Sequence, residues 1–221
     1  MADYKKALEY NDRALVIREK ILGKEHPDTA QSYFNIGACY SLMGDNKKAL
    51  EYHNNAFAIR EKVLGKEHPH MAASYQYRGD VYRMLGQFDK AVSDLTEAIS
   101  FNPKNTVAYQ NRGESYRMLG QFDKAVSDLT EAIKLYPNNS FAYGVRGAAY
   151  RMLGQNDKAV SDLTEAIKLN PNNTFAYGAR GVAYRMLGQK EEAIRDLEKA
   201  IELNPSNEWA KSQLEQARLM S

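Results

Sequence analysis

Four histidines, one cysteine and two arginine series are the residues of this 221-residue chain with chemistry to offer. His68 and His70 stand close enough to touch one metal ion, but no third ligand has the spacing a zinc site needs. His26 and His68 lie 42 residues apart in two near-copies of one turn, which gives them a repeated role in that turn. Cys39 lies between Ala38 and Tyr40 with no evident catalytic partner, as a packed thiol would. The two GKEH segments lack the upstream glycine spacing of a phosphate loop. These patterns point to no enzyme and to no metal or other cofactor.

The arginines are more informative. Arg83, Arg117, Arg151 and Arg185 recur every 34 residues, and guanidinium groups favour carboxylate or phosphate. Asp80 and Glu114 precede the first two by three residues, within reach of an i,i+3 pair, whereas Ala148 and Val182 precede Arg151 and Arg185. The last two therefore read as freer. A second series, Arg78, Arg112, Arg146 and Arg180, runs 16 residues ahead of Asp94, Asp128, Asp162 and Asp196. In an antiparallel helix pair those positions lie level, so an architectural Arg–Asp pair is expected in each unit. In the unit at 30–63, Ile36 and Tyr52 stand at the two equivalent places, both changed together.

The elements that must position these residues are marked by glycine and proline. Pro27, Pro69, Pro103, Pro137, Pro171 and Pro205 are separated by 42, 34, 34, 34 and 34 residues. Gly37, Gly79, Gly113, Gly147 and Gly181 keep the same frame, as do Gly44, Gly86, Gly120, Gly154 and Gly188. Periods of this size indicate stacked repeats. Within one unit, Tyr109, Gly113 and Tyr116 form a helical stripe over about 106–119. Gly120 stops that helix, Asp123 is placed as the next N-cap, and a second helix with Ala125, Leu129 and Ala132 on its inner face runs to about Leu135. Pro137 ends the unit.

The pattern Tyr109, Gly113, Tyr116, Gly120, Phe122, Ala125, Ala132, Pro137 resembles a tetratricopeptide repeat and recurs at 75–103, 143–171 and 177–205. The 42-residue units, with IREKILGKEHPDTA and IREKVLGKEHPHMA, resemble the longer repeats of kinesin light chains. The resemblance implies an all-α, right-handed α-solenoid of about twelve helices with a concave groove that binds proteins or peptides. It divides 1–221 as a single array: a partial repeat at 3–29 with only its second helix, a 42-residue repeat at 30–71, four 34-residue repeats at 72–205 and a capping helix at 206–221.

In this family the groove face of the first helix would carry Asn35, Tyr77, Arg83, Asn111, Arg117, Phe141, Arg151, Phe175 and Arg185, with Val145 and Val182 beside them. Helices about 8–10 Å apart and a strand rise of about 3.3 Å per residue would match arginine rungs to roughly every third residue of an extended ligand. The peptide-carboxylate clamp of co-chaperones needs a Lys–Asn combination that no unit has. At its Lys position stand Phe34, Gln76, Gln110, Gly144 and Gly178.

Composition narrows the setting. Hydrophobic residues make up 43% and charged residues 26%, a globular balance. No apolar run is long enough to span a membrane, and MADYKK lacks the core of a signal peptide. One cysteine forms no internal disulfide, so a reducing cytoplasmic setting fits. A net charge of +2 argues against nucleic acid as the partner. The expected function is a protein-interaction scaffold taking a peptide or protein segment, acidic if the arginines read it. The alternative is a self-associating or engineered repeat array without a dedicated ligand. The unpaired first helix, with Leu8, Ala14, Ile17 and Leu22, would supply the contact for self-association, and 17 identical positions at 83–99 and 117–133 fit either duplication or design.

Overall fold

A computed structural model describes residues 2–220, and all its regular structure is helical. The chain divides into two compact units, Met1–Ser115 and Tyr116–Ser221. The first holds α1 (Ala2–Leu22), α2 (Pro27–Leu42), α3 (Asn46–Leu64), α4 (Met71–Met84), α5 (Phe88–Phe101) and most of α6 (Thr106–Met118). The second holds the end of α6, then α7 (Phe122–Leu135), α8 (Ser140–Met152), α9 (Asn156–Leu169), α10 (Thr174–Met186), α11 (Lys190–Leu203) and α12 (Glu208–Arg218). Among the described residues that makes twelve helices, none long and apolar enough to cross a membrane.

Each 34-residue helix pair of the second unit closes on a glycine facing a leucine. A Cβ added to Gly147 would sit 2.7 Å from Leu163 Cγ, and one added to Gly181 would sit 2.7 Å from Leu197 Cγ. Both leucines are fully buried, between alanines on the same face: Ala159 and Ala166, Ala193 and Ala200. The glycine therefore sets the distance between the two backbones. The turn glycines do a different job: Gly154 and Gly188 adopt φ of +73° and +76°, a region other residues enter at a cost. One local expectation is corrected here. Gln121 is the N-cap of α7 and Asp123 lies within its first turn, where a carboxylate still favours the helix N-terminus. Further along, Asn139, Asn173 and Asn207 cap α8, α10 and α12 by accepting from Ala142, Ala176 and Ala210 N–H groups at 3.0, 3.0 and 3.1 Å.

Three of the expected ion pairs are bidentate. Arg78 donates to both Asp94 oxygens at 2.7 and 2.9 Å, Arg146 to Asp162 at 2.7 and 2.8 Å, and Arg180 to Asp196 at 2.6 and 2.9 Å. The fourth, Arg112 and Asp128, has one member in each compact unit. A feature the sequence reading does not contain is that the remaining nitrogen reaches back one repeat: Arg146 to Thr130 Oγ1 at 3.0 Å, Arg180 to Thr164 Oγ1 at 2.9 Å. Two tyrosines flank each of these last two guanidinium groups, Tyr143 and Tyr150 at 5.6 and 5.9 Å from Arg146, whereas Arg78 lies 3.6 Å from the Phe57 ring. In the 42-residue pair α2–α3 the polar bond is absent: Ile36 is fully buried and Tyr52 stacks on Tyr40 at 5.4 Å.

That longer hairpin has its own devices. His26 and His68 each accept from the backbone N–H two residues on, of Asp28 and His70, at 3.1 and 3.2 Å. Arg18 and Arg60 each reach 14 residues on to a buried serine, Ser32 at 2.8 Å and Ser74 at 2.7 Å. Cys39 is buried, as expected, and among the described residues no three His, Cys, Asp or Glu side chains are grouped to hold a metal. On α1 the exposed stripe is Tyr10, Ile17 and Ile21, whereas Leu8 and Ala14 are half-buried.

His53 replaces the leucine of the other pairs, packed so close to Gly37 that an added Cβ would lie 2.9 Å from its ring. Neither ring nitrogen has a hydrogen-bond partner. Burial, then Arg60 and Arg78, push its pKa from 6.5 down to about 4.

Removing the Asp162 carboxylate alone leaves a guanidinium that is only 14% exposed unpaired and costs about 3 kcal/mol. A double-mutant cycle of Arg146→Met and Asp162→Leu gives a coupling above about 1 kcal/mol in denaturant unfolding. His53 is neutral when folded, so its contribution is complete above pH 6.5 and is lost as pH falls toward 4, by up to roughly 3 kcal/mol. His53→Leu removes that slope, measured as unfolding free energy at neutral pH and midway between the two values.

Candidate functional site

The residues expected on the groove face fall into two sets, one per unit, of opposite character. In the first unit the polar groups are bonded to one another. Asn35 accepts from Gln31 Nε2 at 2.7 Å and donates toward Asn11 Oδ1 at 3.4 Å. Gln31 in turn accepts from buried Arg60 at 2.7 Å, whose guanidinium lies 4.6 Å from the Phe34 ring centre. Tyr77 is 40% exposed and meets Phe34 edge-on at 4.9 Å. Arg83 donates to Asp80 Oδ1 at 3.2 and 2.9 Å, and Asn111 donates to the same oxygen at 3.0 Å. Asn111 is only 4% exposed, so its amide braces Asp80 beneath the surface.

The second unit presents apolar and cationic groups instead. Phe141 and Phe175 are 41% and 48% exposed, and Met152 and Met186 are exposed on the same faces of α8 and α10. One turn of arithmetic explains this: eleven residues separate Phe141 from Met152, which returns a helix to within about 20° of the same direction. Val145 and Val182, expected on the groove face, are instead buried, at 4% and 2%, Val182 in a core cluster with Leu197 and Leu214. The aromatic rings do not stand free. Phe175 lies 3.9 Å from where a Cβ on Gly144 would be, and Trp209 Cζ3 lies 2.8 Å from the same point on Gly178. The position that carries Lys in a carboxylate clamp is here a glycine covered by the next repeat's ring.

Arg151 and Arg185 sit in this apolar setting half-buried, and the Nε of each is shielded from solvent with no partner. Arg185 donates one Nη2 bond, to Gln213 Oε1 at 3.3 Å. Burial, then the like charges of Arg117 and Arg185, hold the Arg151 pKa below its ordinary value. Arg117 itself directs an Nη2 toward Met118 Sδ at 3.0 Å.

Tetratricopeptide repeat profiles match residues 1–62 and 43–104, and again 106–139, 140–173 and 175–207. No curated protein matches the chain in sequence. Among solved structures it is similar to YrrB, described as a tetratricopeptide protein with an unusual peptide-binding site, at 23% identity and TM-score 0.67, covering 90% of this chain and 96% of that one. A thermophilic tetratricopeptide protein of Thermus thermophilus aligns at 22% identity and TM-score 0.64, over 86% and 99% of the two chains. The first tetratricopeptide domain of Spaghetti, bound to an HSP90 peptide, aligns at 32% identity and TM-score 0.50, over 51% of this chain and 90% of that one.

Trp209 is the only tryptophan, so the ring-on-glycine contact has a built-in reporter. Gly178→Ala displaces the indole, and its emission moves to longer wavelength with easier acrylamide quenching. An unchanged spectrum means the ring is not held there.

Proposed function

The chain belongs to the tetratricopeptide repeat family, and from that premise we propose that it is a protein-interaction scaffold that takes a segment of another protein along the first-helix face of its second unit. The observation that carries this reading is the exposed apolar row Phe141, Met152, Phe175 and Met186, held on rigid helices. A row of that kind, ringed by polar groups, stabilises a bound chain by the apolar area it removes from water. Rigid aromatic anchors add affinity because little side-chain freedom is lost on binding. Peptide binding by YrrB and by the Spaghetti domain supports the general role. The HSP90-type ligand does not transfer, because Gly144 and Gly178 are covered where a clamp lysine would stand.

A second reading, self-association, is favoured by the exposed stripe Tyr10, Ile17 and Ile21 on α1. Light-scattering mass that rises with concentration, and stops rising in Ile17→Lys with Ile21→Lys, would favour it over the scaffold.

The scaffold reading is tested with a random peptide library displayed on phage and selected on the whole chain. The best peptide loses at least tenfold in affinity, about 1.4 kcal/mol, in Phe141→Ser with Phe175→Ser, while helicity is retained. No enrichment, or an affinity indifferent to both rings, overturns the assignment.

A further inference from the structure

The two units balance their groove arginines differently. Arg83 is neutralised within its own helix by Asp80, and Asp80 is fixed by Asn111. At the position of Asp80, the second unit has Ala148 before Arg151 and Val182 before Arg185, both almost fully buried. Among the described residues, no carboxylate lies within ion-pairing distance of Arg151 or Arg185. Among those same residues Arg151 has no hydrogen-bond partner, and the Nε groups of both arginines are buried and unsatisfied. Other arginines of similar burial are engaged: Arg78, Arg146 and Arg180 with aspartates, Arg60 with Ser74 and Gln31. An unsatisfied buried donor is costly, and a planar guanidinium fork is matched by a carboxylate.

We propose that Arg151 and Arg185 are two rungs of a site for the carboxylate side chains of an extended acidic segment of a partner protein. The proposal rests on the scaffold reading above and names the chemistry of its ligand. Successive first helices repeat at a distance that corresponds to about three residues of extended chain, so the two acids stand about three apart in the ligand. Phe175 stands ten residues before Arg185 on α10, about 15 Å along the helix axis, so it meets a ligand side chain beyond the acidic pair, while exposed Met186 directly follows Arg185. The adjoining exposed row of Phe141, Met152 and Met186 suits a peptide rather than a polyphosphate backbone. Neutralising the rungs also relieves the repulsion that Arg117 and Arg185 exert on Arg151.

The test uses the peptides enriched on the whole chain. The expected consensus has two acidic residues about three apart, with affinity that falls steeply with salt. Arg151→Gln with Arg185→Gln lowers that affinity at least tenfold. A second variant, Ala148→Glu with Val182→Glu, keeps both arginines but supplies each with an internal carboxylate, as Asp80 does for Arg83. It is expected to lower affinity as much. Thermal unfolding and circular dichroism establish that at least one of the two variants is folded. Enriched peptides without acids, or acidic peptides bound equally by both variants, overturn this site and leave the scaffold reading standing. Tighter binding of oligouridylate than of the acidic peptides, lost in both variants, overturns it in favour of phosphate. Failure to enrich any peptide overturns the scaffold reading and this site with it.

Discussion

The van der Waals contact between a glycine on the first helix and a buried leucine on the second is the constraint on which the other features depend. At Gly147 and Gly181 the leucine Cγ occupies the volume a side chain would need. In the same hairpins Arg146 stands level with Asp162, and Arg180 level with Asp196, closely enough for two parallel bonds. The bidentate pair then fixes the guanidinium plane. That plane aims its last nitrogen at a threonine of the preceding repeat. An ion pair inside one hairpin thus sets up a polar contact between two. The α2–α3 pair keeps the close approach, with His53 against Gly37, but carries Ile36 and Tyr52 in place of the ion pair.

The same backbone carries two electrostatic solutions on its first helices. In the first unit the polar groups are satisfied internally, Arg60 by Gln31, and Arg83 and Asn111 by Asp80. In the second unit, small apolar residues replace those partners, which lowers the polarity around Arg151 and Arg185 and leaves their Nε groups without an acceptor. A guanidinium in such surroundings interacts more strongly with an incoming anion than one in water, because the local dielectric is lower.

Much of this is legible in the residue order. The glycine and proline frames mark the helix pairs, because left-handed turns and helix stops leave few residue choices. The 16-residue Arg–Asp spacing marks the ion pair, because two antiparallel helices about a fixed turn bring fixed positions level. What is not legible depends on the third dimension between repeats. Asn111 reads as a ligand-binding amide, but whether an amide points outward or toward Asp80 is decided by the neighbouring helix. Val145 and Val182 sit on the right face of their helices by angle, yet packing against neighbouring helices buries them. Arg18–Ser32 and Arg60–Ser74 do leave a signal, since both pairs repeat at 42 residues, but a serine is a less obvious partner for arginine than a carboxylate.

The rings over Gly144 and Gly178 act as joints between successive repeats. At Gly178 the indole of Trp209 occupies the volume a Cβ would need, whereas at Gly144 the ring of Phe175 stands at ordinary contact distance beside Asn173. Where glutamine stands instead, as at Gln76, the joint is polar: its amide oxygen accepts from Asn105, and the residue at the ring position is Val107. Repeats of this chain are therefore not interchangeable beads, despite their near-identical second helices. The seam at Gly178 is the tightest of them, and a repeat placed there with a larger residue in the glycine's position would clash with the indole of Trp209.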